Sequence, residues 1–514
     1  MSRADAFRTL AETPYDLLVV GGGITGAGVA RDAAMRGLKT ALVERDDFGS
    51  GTSSRSSRLI HGGVRYLEHG YFHLVFEASR ERRTLLRIAP HLVRPLRFTW
   101  PVYQGARVPG WRLGAGLLLY DALALWRNVA RHRRLTAAEV LAREPGLEPR
   151  GLTSGAAYFD AATDDSRLTL ANALAAESAG ATVLNHAELR AFVSDAGGRA
   201  TGARVRDTLT GTEVLVHAAI TVNATGPWGD TVRQLADGAG TAATVQGSKG
   251  VHLAVPAKRI GNRGAVTLLS AIDGRVMFVL PAGAHTIVGT TDTETTTGPG
   301  QIRASASDVE YLLESVNAAF PAAGLVASDV VSAWAGIRPL IASGRTGDAG
   351  SASREHEIVR GPSGVFTVSG GKLTTYRAMA AEVADAVDVA LGRPATPAPT
   401  DTTALPGRGR LTAIAALAAA EPALAEPLVA PLPYRAADLV YAVQCEHACT
   451  LSDLLMRRTH VAFETRDGGV AAAARAAAIV ARVLGWDDAA CRAAIDAYSA
   501  DARRVFAIGG RNDG

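Results

Sequence analysis

Four side chains in glycine- or proline-rich settings have the chemistry to move a proton or to hold an anion. His61 and Lys372 could exchange a proton, because histidine titrates near neutral pH and a desolvated lysine can do so as well. Arg65 and Arg338 could bind a phosphate, because a planar guanidinium donates two parallel hydrogen bonds. Glycine or proline lies within two residues of each of them, which is not typical of ordinary surface side chains.

A glycine turn near the N-terminus predicts a dinucleotide site. Gly21, Gly23 and Gly26 form a G-x-G-x-x-G turn, and Glu44 is the acidic residue expected about 20 residues later. The first glycine makes the tight turn, the second lets the backbone approach a pyrophosphate, and the third lets helix pack on strand. Glu44 would accept hydrogen bonds from an adenosine ribose. The elements predicted around this turn are a strand at 17–20, a helix at 27–36 and a strand at 39–43.

Two further glycine turns, at 223–228 and 370–375, follow predicted strands at 219–222 and 365–368. Ligands of open α/β sheets bind at the carboxyl ends of strands, so three turns around one crevice favour a long ligand such as FAD. No second G-x-G-x-x-G is present, which argues against a separate NAD(P) domain. The residues predicted to bind the cofactor are Gly21, Gly23, Gly26, Glu44, Thr52, Ser53, His61, Gly62, Ala187, Thr225, Gly226, Gly370, Gly371, Lys372 and Thr374.

The order of predicted elements indicates an α/β fold, in which an FAD-binding doubly wound parallel-sheet domain carries an inserted antiparallel-sheet substrate domain and a C-terminal helical domain. We expect the FAD-dependent module over 1–393, with its antiparallel parts near 86–150 and 245–335, and the helical domain over 404–514. A Pro/Thr-rich linker separates the two at 394–403. Ser307 and Glu310 predict a capping box at the start of a helix that runs to Phe320. Strands of the antiparallel part are predicted at 251–255, 265–269, 276–280 and 286–289.

Composition narrows the class of protein. The chain has 514 residues, of which 47% are hydrophobic and 20% are charged, so more than one globular domain is expected. The sequence shows no secretory signal and no apolar stretch long enough to span a membrane, and it has only three cysteines. These features predict a cytoplasmic location. Cys445 and Cys449 could share a helix face, but four metal ligands are not evident and no metal is expected. The net charge of +4 comes with arginine clusters but with no nucleic-acid recognition module, so no nucleic-acid partner is expected.

The segment from Trp111 to Trp126 has two interpretations. It is leucine-rich, has tryptophan at both ends, and is flanked by arginines at 80–87 and 127–134. Such a segment is typical of a helix that lies in a membrane interface, and equally of an ordinary buried helix. The sequence leaves both readings open.

At this point the chain resembles the aerobic, FAD-dependent glycerol-3-phosphate dehydrogenase family over almost its whole length. The first glycine turn occurs in many flavoproteins, whereas the other motifs are more specific. His460 departs from the pattern, because many relatives carry arginine after Arg-Arg-Thr. The matching segments are Gly21–Gly28, Leu59–Glu68, Lys249–His252, Gly289–Asp292, Gly336–Leu340, Gly370–Tyr376, Thr450–Leu455 and Arg457–Thr459.

The resemblance implies oxidation of sn-glycerol 3-phosphate to dihydroxyacetone phosphate, with hydride passing to flavin and electrons to a membrane quinone. Arg65 and Arg338 would then clamp the substrate phosphate, with Tyr66 and Thr290 as further substrate contacts. His61 is either the proton acceptor or a residue that packs on the flavin. Lys372 either handles the proton, stabilises negative charge on reduced flavin, or orients the substrate oxygen.

The electron acceptor and the assembly stay open at this level. A glycerol-3-phosphate oxidase that uses oxygen would share every motif, and a non-catalytic flavin-binding protein is a competitor of another class. The basic chain suits a peripheral position at the anionic inner face of the cell membrane. A homodimer is one expectation for the oligomeric state.

Overall fold

The structure, a computed structural model, describes residues 3–125, 128–341 and 356–510, without the side chains of Arg65, Glu68 and His69. In this part of the chain the strands are β1 (Tyr15–Val20), β2 (Thr40–Val43), β3 (Leu59–Ile60), β4 (Val93–Tyr103), β5 (Arg133–Thr136), β6 (Leu152–Thr163), β7 (Thr182–Leu184), β8 (Ala187–Ser194), β9 (Ala200–Asp207), β10 (Glu213–Asn223), β11 (Val245–Pro256), β12 (Ala265–Leu269), β13 (Val276–Ala282), β14 (His285–Gly289), β15 (Thr293–Glu294), β16 (Ser332–Ile341), β17 (His356–Arg360) and β18 (Phe366–Gly370). The helices are α1 (Arg3–Glu12), α2 (Ile24–Met35), α3 (Phe72–Ile88), α4 (Gly110–Leu123), α5 (Ala137–Arg143), α6 (Asp165–Ser178), α7 (Gly229–Asp237), α8 (Ala257–Ile260), α9 (Ala306–Ala319), α10 (Tyr376–Ala390), α11 (Arg410–Ala420), α12 (Ala436–Cys445), α13 (Val461–Glu464), α14 (Val470–Leu484) and α15 (Asp488–Phe506).

The first sheet is the predicted doubly wound parallel sheet. Its strand order is β17-β18-β10-β1-β2-β7, in which β18, β10, β1, β2 and β7 are parallel and β17 is antiparallel to its neighbour. Apolar strands such as β1 are buried on both faces, and α2 packs between the sheet and helices α6 and α10. Parallel order brings the carboxyl ends of β1, β2, β10 and β18 to one edge, where the predicted glycine turns meet.

The second sheet is largely antiparallel, as predicted, but it contains more strands than were predicted. Its order is β15-β11-β14-β13-β12-β4-β6-β3, with β16 paired to β11 and β5 to β6, and only β4 and β12 run parallel. The long strands β4 and β6 have no counterpart among the predicted strands. Helix α9 covers one face of this sheet through Leu312 and Val316.

The capping box at the start of α9 lies two residues before the predicted position. Ser305, not Ser307, is the N-cap, and its hydroxyl accepts from the backbone N–H of Asp308 at 3.3 Å. Two Ser-x-x-acid registers overlap in this stretch, and the structure selects the one that buries Asp308 against the Lys249 ammonium at 2.9 Å. An ion pair distant in sequence therefore sets where this helix begins.

The C-terminal part is helical, as predicted, and it packs on the rest of the molecule. It contains α11 to α15 and a π-helical turn, Asp453–Arg458. Phe463 meets Trp334 of β16 edge to face, with the ring centroids 5.2 Å apart. The backbone carbonyl of Phe463 also accepts from the Ser332 hydroxyl at 2.6 Å. The second sheet thus lies between α9 and the C-terminal helices.

Candidate active site

A cavity of about 610 Å³ lies where the carboxyl edge of the first sheet faces the second sheet. Gly26, Gly62 and Thr374 are not among the residues that line it, and the side chain of Arg65 lies outside the described part of the chain. The predicted site residues that line the cavity are Gly21, Gly23, Glu44, Thr52, Ser53, His61, Tyr66, Ala187, Thr225, Gly226, Thr290, Arg338, Gly370, Gly371 and Lys372.

The three glycines of the first turn differ in why a side chain is excluded. Gly21 has φ +103°, and a Cβ there would lie 2.7 Å from the Ala224 carbonyl oxygen. A Cβ on Gly26 would lie 1.8 Å from the Gly21 carbonyl oxygen, because helix and strand pack closely at that point. Gly23, by contrast, has φ −71°, and a Cβ would meet only the Ser53 hydroxyl, at 3.4 Å. The fold therefore requires glycine at 21 and 26, whereas at 23 the empty space belongs to the cavity.

Glu44 stands at the end of β2 with its carboxylate fixed by the backbone. Its two oxygens accept from the N–H groups of Gly22 at 2.6 Å and Asp46 at 2.9 Å. Burial raises the pKa of Glu44 to about 7, although those N–H groups act in the opposite direction. Each carboxylate oxygen keeps a further acceptor position, which suits the hydroxyl groups of a ribose.

The residues outside the cavity wall support it from behind. The Thr374 hydroxyl accepts from the backbone N–H of His61 at 3.1 Å, so it fixes the loop that carries His61. Gly62 donates its N–H to the Asp160 carboxylate at 3.0 Å, and a Cβ on Gly62 would meet the Tyr120 hydroxyl oxygen at 2.2 Å. These two residues hold the His61 loop in place rather than contact the cavity.

Arg338 lines the cavity in a defined orientation. One terminal nitrogen donates to the Asp292 carboxylate at 3.1 Å, and the other donates to the Thr290 hydroxyl at 3.1 Å. Register places Arg338 of β16 opposite Ser248 of β11, whose hydroxyl also bonds to Asp292. Asp292 therefore orients the guanidinium. The same two nitrogens also donate to the Ser248 hydroxyl at 3.3 Å and to the Thr291 carbonyl at 3.2 Å. The fork is therefore fixed in one orientation at the cavity wall, and an anion that it binds replaces or shares some of these acceptors.

Lys372, Tyr66 and His61 are neighbours in the cavity wall. The Lys372 ammonium lies 4.0 Å from the centre of the Tyr66 ring, a cation–π contact that favours the charged lysine. The Tyr66 ring is in turn 6.3 Å from the His61 ring. Tyr66 is buried, so its hydroxyphenyl group fills the wall between the two candidate proton-handling residues.

His252 is a buried residue of the cavity wall, for which no role was predicted. Its Nε2 lies 2.8 Å from the Ser57 hydroxyl, and its ring stacks on Trp334 with centroids 5.6 Å apart. Burial lowers the pKa of His252 to about 3, with Arg338 and Arg58 acting in the same direction. The imidazole is therefore neutral at physiological pH.

This neutral histidine makes stability depend on pH in a predictable direction. Histidine has a usual pKa of 6.5, and His252 in the folded protein has a pKa of about 3. Between these two pH values His252 is protonated in the unfolded chain but not in the folded protein, so the free energy of unfolding falls as pH falls. One proton corresponds to at most about 1.4 kcal/mol per pH unit. His252→Gln should remove that dependence, as measured by denaturant unfolding between about pH 4 and pH 7. Equal slopes for variant and wild type would show that His252 is not buried in the neutral form.

Several cavity residues were missed by the sequence analysis. Ser57 belongs to the serine-rich stretch after β2, which signalled a loop but no specific contact. Phe278 reaches the wall from β13, where strand alternation alone does not tell a ligand-facing residue from a core residue. Arg45 lies over the Trp228 ring at 5.1 Å, and both residues line the end of the cavity next to Glu44.

The cavity fits FAD in three respects. The space beside Gly23 is open to a pyrophosphate at the N-terminus of α2, where helix dipole and backbone N–H groups favour an anion. Glu44 and Ala187, which are joined by a backbone hydrogen bond, line the region for an adenosine. His61 and Lys372 line the same cavity, beside the Tyr66 ring. The described residues contain no group of three or more His, Cys, Asp and Glu side chains arranged to hold a metal ion.

Comparison with known proteins agrees with this geometry. Residues 16–386 match the family model described as FAD dependent oxidoreductase, and residues 409–491 match that of the C-terminal domain of alpha-glycerophosphate oxidase. The glycerol-3-phosphate dehydrogenase of Synechocystis sp. is 37% identical, over 96% of this chain and 97% of its own.

Solved structures give the same result. The glycerol-3-phosphate dehydrogenase of Bacillus halodurans, complexed with FAD, superimposes with a TM-score of 0.77 at 30% identity, covering 98% of this chain and 97% of its own. The L-alpha-glycerophosphate oxidase of Mycoplasma pneumoniae, with FAD bound, shares the fold at 18% identity and a TM-score of 0.58, covering 77% of this chain and 100% of its own. The chain therefore belongs to the FAD-dependent glycerol-3-phosphate dehydrogenase family.

Proposed function

We propose that this protein oxidises sn-glycerol 3-phosphate to dihydroxyacetone phosphate with FAD and passes the electrons to a membrane quinone. The observation that carries the proposal is the oriented Arg338 fork in the same cavity as the cofactor residues. Phosphate and carboxylate are the substrate groups that such a fork recognises. The names of the relatives support the same substrate.

The chain's own residues have distinct tasks in this reaction. FAD, when bound, accepts the hydride from the substrate carbon that carries the secondary hydroxyl. Arg338 and Thr290 would hold the phosphate, which fixes the position of that carbon. His61 would accept the hydroxyl proton, because it lines the same cavity as Arg338 and histidine is the side chain that most often acts as a general base.

Lys372 would remain charged and stabilise negative charge that develops in its surroundings. Its contact with the Tyr66 ring favours the ammonium form, which cannot act as a base, whereas burial of the Nζ atom favours the neutral form. In this proposal the ring contact prevails. Lys372→Met should therefore slow flavin reduction by roughly 10²- to 10³-fold, whereas Lys372→Arg, which keeps the charge, should retain much of the rate. Rapid-mixing absorbance under anaerobic conditions measures this rate directly. If both variants were equally slow, the lysine would be the proton acceptor, since arginine cannot release its proton.

The proposed route to a quinone runs through α3 and α4. None of the helices in residues 3–125, 128–341 and 356–510 combines the length and apolarity that crossing a bilayer demands. Helix α4 instead has two apolar faces: Leu113, Leu117 and Tyr120 are buried, while Trp111 and Leu118 are 70% and 53% exposed. The buried-helix interpretation thus fits one side of α4, and the membrane-interface interpretation fits the other. Trp126 lies outside the described residues.

The start of α3 extends the exposed apolar surface. Phe72 and Phe76 are 48% and 40% exposed, and α3 packs against α4. Exposed arginines of α3 and α4 could meet anionic lipid, but Arg82 is buried and bonds to Asp160, so it does not belong to that surface. On the buried side, Arg82 of α3 and Tyr120 of α4 both donate to Asp160 of β6, which in turn accepts from the Gly62 N–H in the His61 loop. A bilayer-dissolved acceptor that docks here would lie about one helix diameter from that loop.

Membrane attachment has a direct test. Trp111→Ser together with Leu118→Ser should move the protein from liposome pellet to supernatant and slow quinone reduction, while flavin reduction by substrate stays intact. Each arginine near an anionic surface contributes about 1 kcal/mol, so part of the binding should disappear with salt. Val389→Ser together with Leu411→Ser is the matched control, because these side chains are 76% and 73% exposed elsewhere. Wild-type protein that ignores anionic liposomes at low salt would contradict the proposal.

Oxygen is the second candidate acceptor. It is favoured by the match of residues 409–491 to a C-terminal domain named for an alpha-glycerophosphate oxidase. Steady-state turnover with a quinone analogue and with oxygen, run in parallel, separates the two. Faster turnover with oxygen would replace the quinone in the proposal, along with the position at the inner face of the cell membrane. Light scattering of the purified protein would test the expected homodimer.

A further inference from the structure

A buried ionic cluster joins the C-terminal helical part to the nucleotide end of the cavity. We call Asp453, Arg457 and Arg458, all in the π-helical turn, the C-terminal clamp. Both arginines donate to Asp47, Arg457 through Nε at 2.5 Å and Arg458 through its two terminal nitrogens at 2.7 and 2.9 Å. The side chains of Asp47 and Asp453 are fully buried, and those of Arg457 and Arg458 are 9% and 1% exposed.

Asp47 occupies the middle of the segment that connects two parts of the cofactor site. Glu44 lies three residues before it, and Thr52 and Ser53 follow it in the cavity wall. The same turn bonds to the glycine loop, because the Gly49 N–H donates to the Gly22 carbonyl at 3.0 Å. The position of Asp47 therefore sets the spacing between the predicted ribose and pyrophosphate residues.

The clamp also holds the other flank of the nucleotide end. Asp453 bonds to His186 Nε2 at 2.9 Å, and the His186 backbone N–H donates to the Asp46 carbonyl at 2.6 Å. His186 has φ +50°, a conformation that is uncommon for a residue other than glycine. The next residue, Ala187, lines the cavity and donates its N–H to the Glu44 carbonyl at 2.7 Å.

The charges of this cluster compensate one another. Burial alone would raise the pKa of Asp47, but Arg458 and Arg457 outweigh it and the pKa is lowered. The same balance, with His186 and both arginines, holds the pKa of Asp453 well below its usual range. Removing one member of such a group leaves a buried charge without compensation, so the remaining side chains and the turns that carry them must shift.

We propose that Arg457 and Arg458 are positioning residues for the adenosine half of FAD, acting through Asp47 on the segment from Glu44 to Ser53. FAD binding and the packing of the C-terminal clamp are then thermodynamically coupled. The coupling is reciprocal: loosening the clamp weakens FAD binding, and FAD tightens the clamp. This role is independent of the substrate and of the electron acceptor.

Fluorescence titration of the full-length apoprotein with FAD tests the first half of the coupling. Arg458→Met should raise the FAD dissociation constant by about 10-fold or more, the scale on which outer partners act at other bound groups. Arg458→Lys, which keeps the charge but loses the bidentate geometry, should lie between Arg458→Met and wild type. Arg475→Met is the matched control, because Arg475 of α14 forms an exposed pair with Glu426. A folded Arg458→Met with the wild-type dissociation constant would overturn the proposal.

Hydrogen exchange on the wild-type chain tests the second half without any variant. Adding FAD to the apoprotein should slow amide exchange in peptides that cover the clamp, at 450–460, as well as in those that cover 44–53. Peptides of α14, at 470–484, should change little. If exchange at 450–460 were the same with and without FAD, the clamp would be a structural contact only. This test does not depend on whether the arginine variants fold.

Discussion

Gly23→Val is expected to abolish FAD binding while the apoprotein stays folded. The backbone at Gly23 has a φ of −71° that any residue can adopt, and a Cβ there points into the cavity. A branched side chain would occupy the space through which a pyrophosphate approaches the start of α2. The flavin content of purified protein and the circular dichroism of the apoprotein measure the two halves of this expectation.

Gly26→Ala provides the contrast. Its Cβ would lie 1.8 Å from the Gly21 carbonyl oxygen, so this much smaller change should damage folding itself. Loss of FAD binding alone identifies Gly23 as a residue of the cavity wall, and loss of folding identifies Gly26 as a residue of the helix–strand packing. Stoichiometric FAD in Gly23→Val would mean that the cofactor does not pass this loop.

Arg338→Lys is expected to lower kcat/KM for sn-glycerol 3-phosphate by roughly 10²-fold or more. Lysine keeps the positive charge but cannot donate to Asp292 and Thr290 while also presenting a planar fork to phosphate. Steady-state kinetics on sn-glycerol 3-phosphate and on unphosphorylated glycerol check the origin of the loss. Activity on glycerol should change little, because it has no phosphate to bind.

Arg275→Lys is a matched control for this substitution. Arg275 also bonds to Asp292, through the backbone carbonyl, but its side chain is 53% exposed on the same sheet. Its replacement should leave kcat/KM nearly unchanged. Equal losses on both substrates in Arg338→Lys would move Arg338 from phosphate binding to the chemical step.

The nucleotide end of the cavity was predictable because its signals are local. The G-x-G-x-x-G turn fixes strand, turn and helix within a short stretch, and the strands predicted at 17–20 and 39–43 correspond to Tyr15–Val20 and Thr40–Val43. The helix predicted from 27 begins at Ile24, because Gly23 is already its N-cap. Short strands of the antiparallel part, such as Ala265–Leu269, were also confirmed.

The parts that could not be predicted depend on pairing between distant segments. Strand β4 contains Pro95 and Pro101, which argue against a strand in any local reading, yet it pairs with β6 along its whole length. Likewise, the Ser305 cap follows from the buried pair of Asp308 with Lys249. Composition and periodicity carry no information on such pairs.

In the candidate site, too, the residues could be predicted but their contacts could not. Residue types and glycine settings indicated Arg338, His61 and Lys372, but not what orients them. The partnership of Arg338 with Asp292 appears only when β11 and β16 are side by side. The C-terminal clamp on Asp47 joins residues about 410 positions apart, and its Arg-Arg-Thr motif gave no hint of a cofactor role.

The central claim is that bound FAD is reduced by sn-glycerol 3-phosphate. Anaerobic addition of this substrate to the purified protein should bleach the flavin absorbance at about 450 nm within the turnover time, and glycerol at the same concentration should not. Subsequent addition of a quinone analogue should restore the absorbance. A flavin spectrum that stays unchanged after saturating sn-glycerol 3-phosphate would contradict the account, because it would show a protein that binds flavin without using it on this substrate.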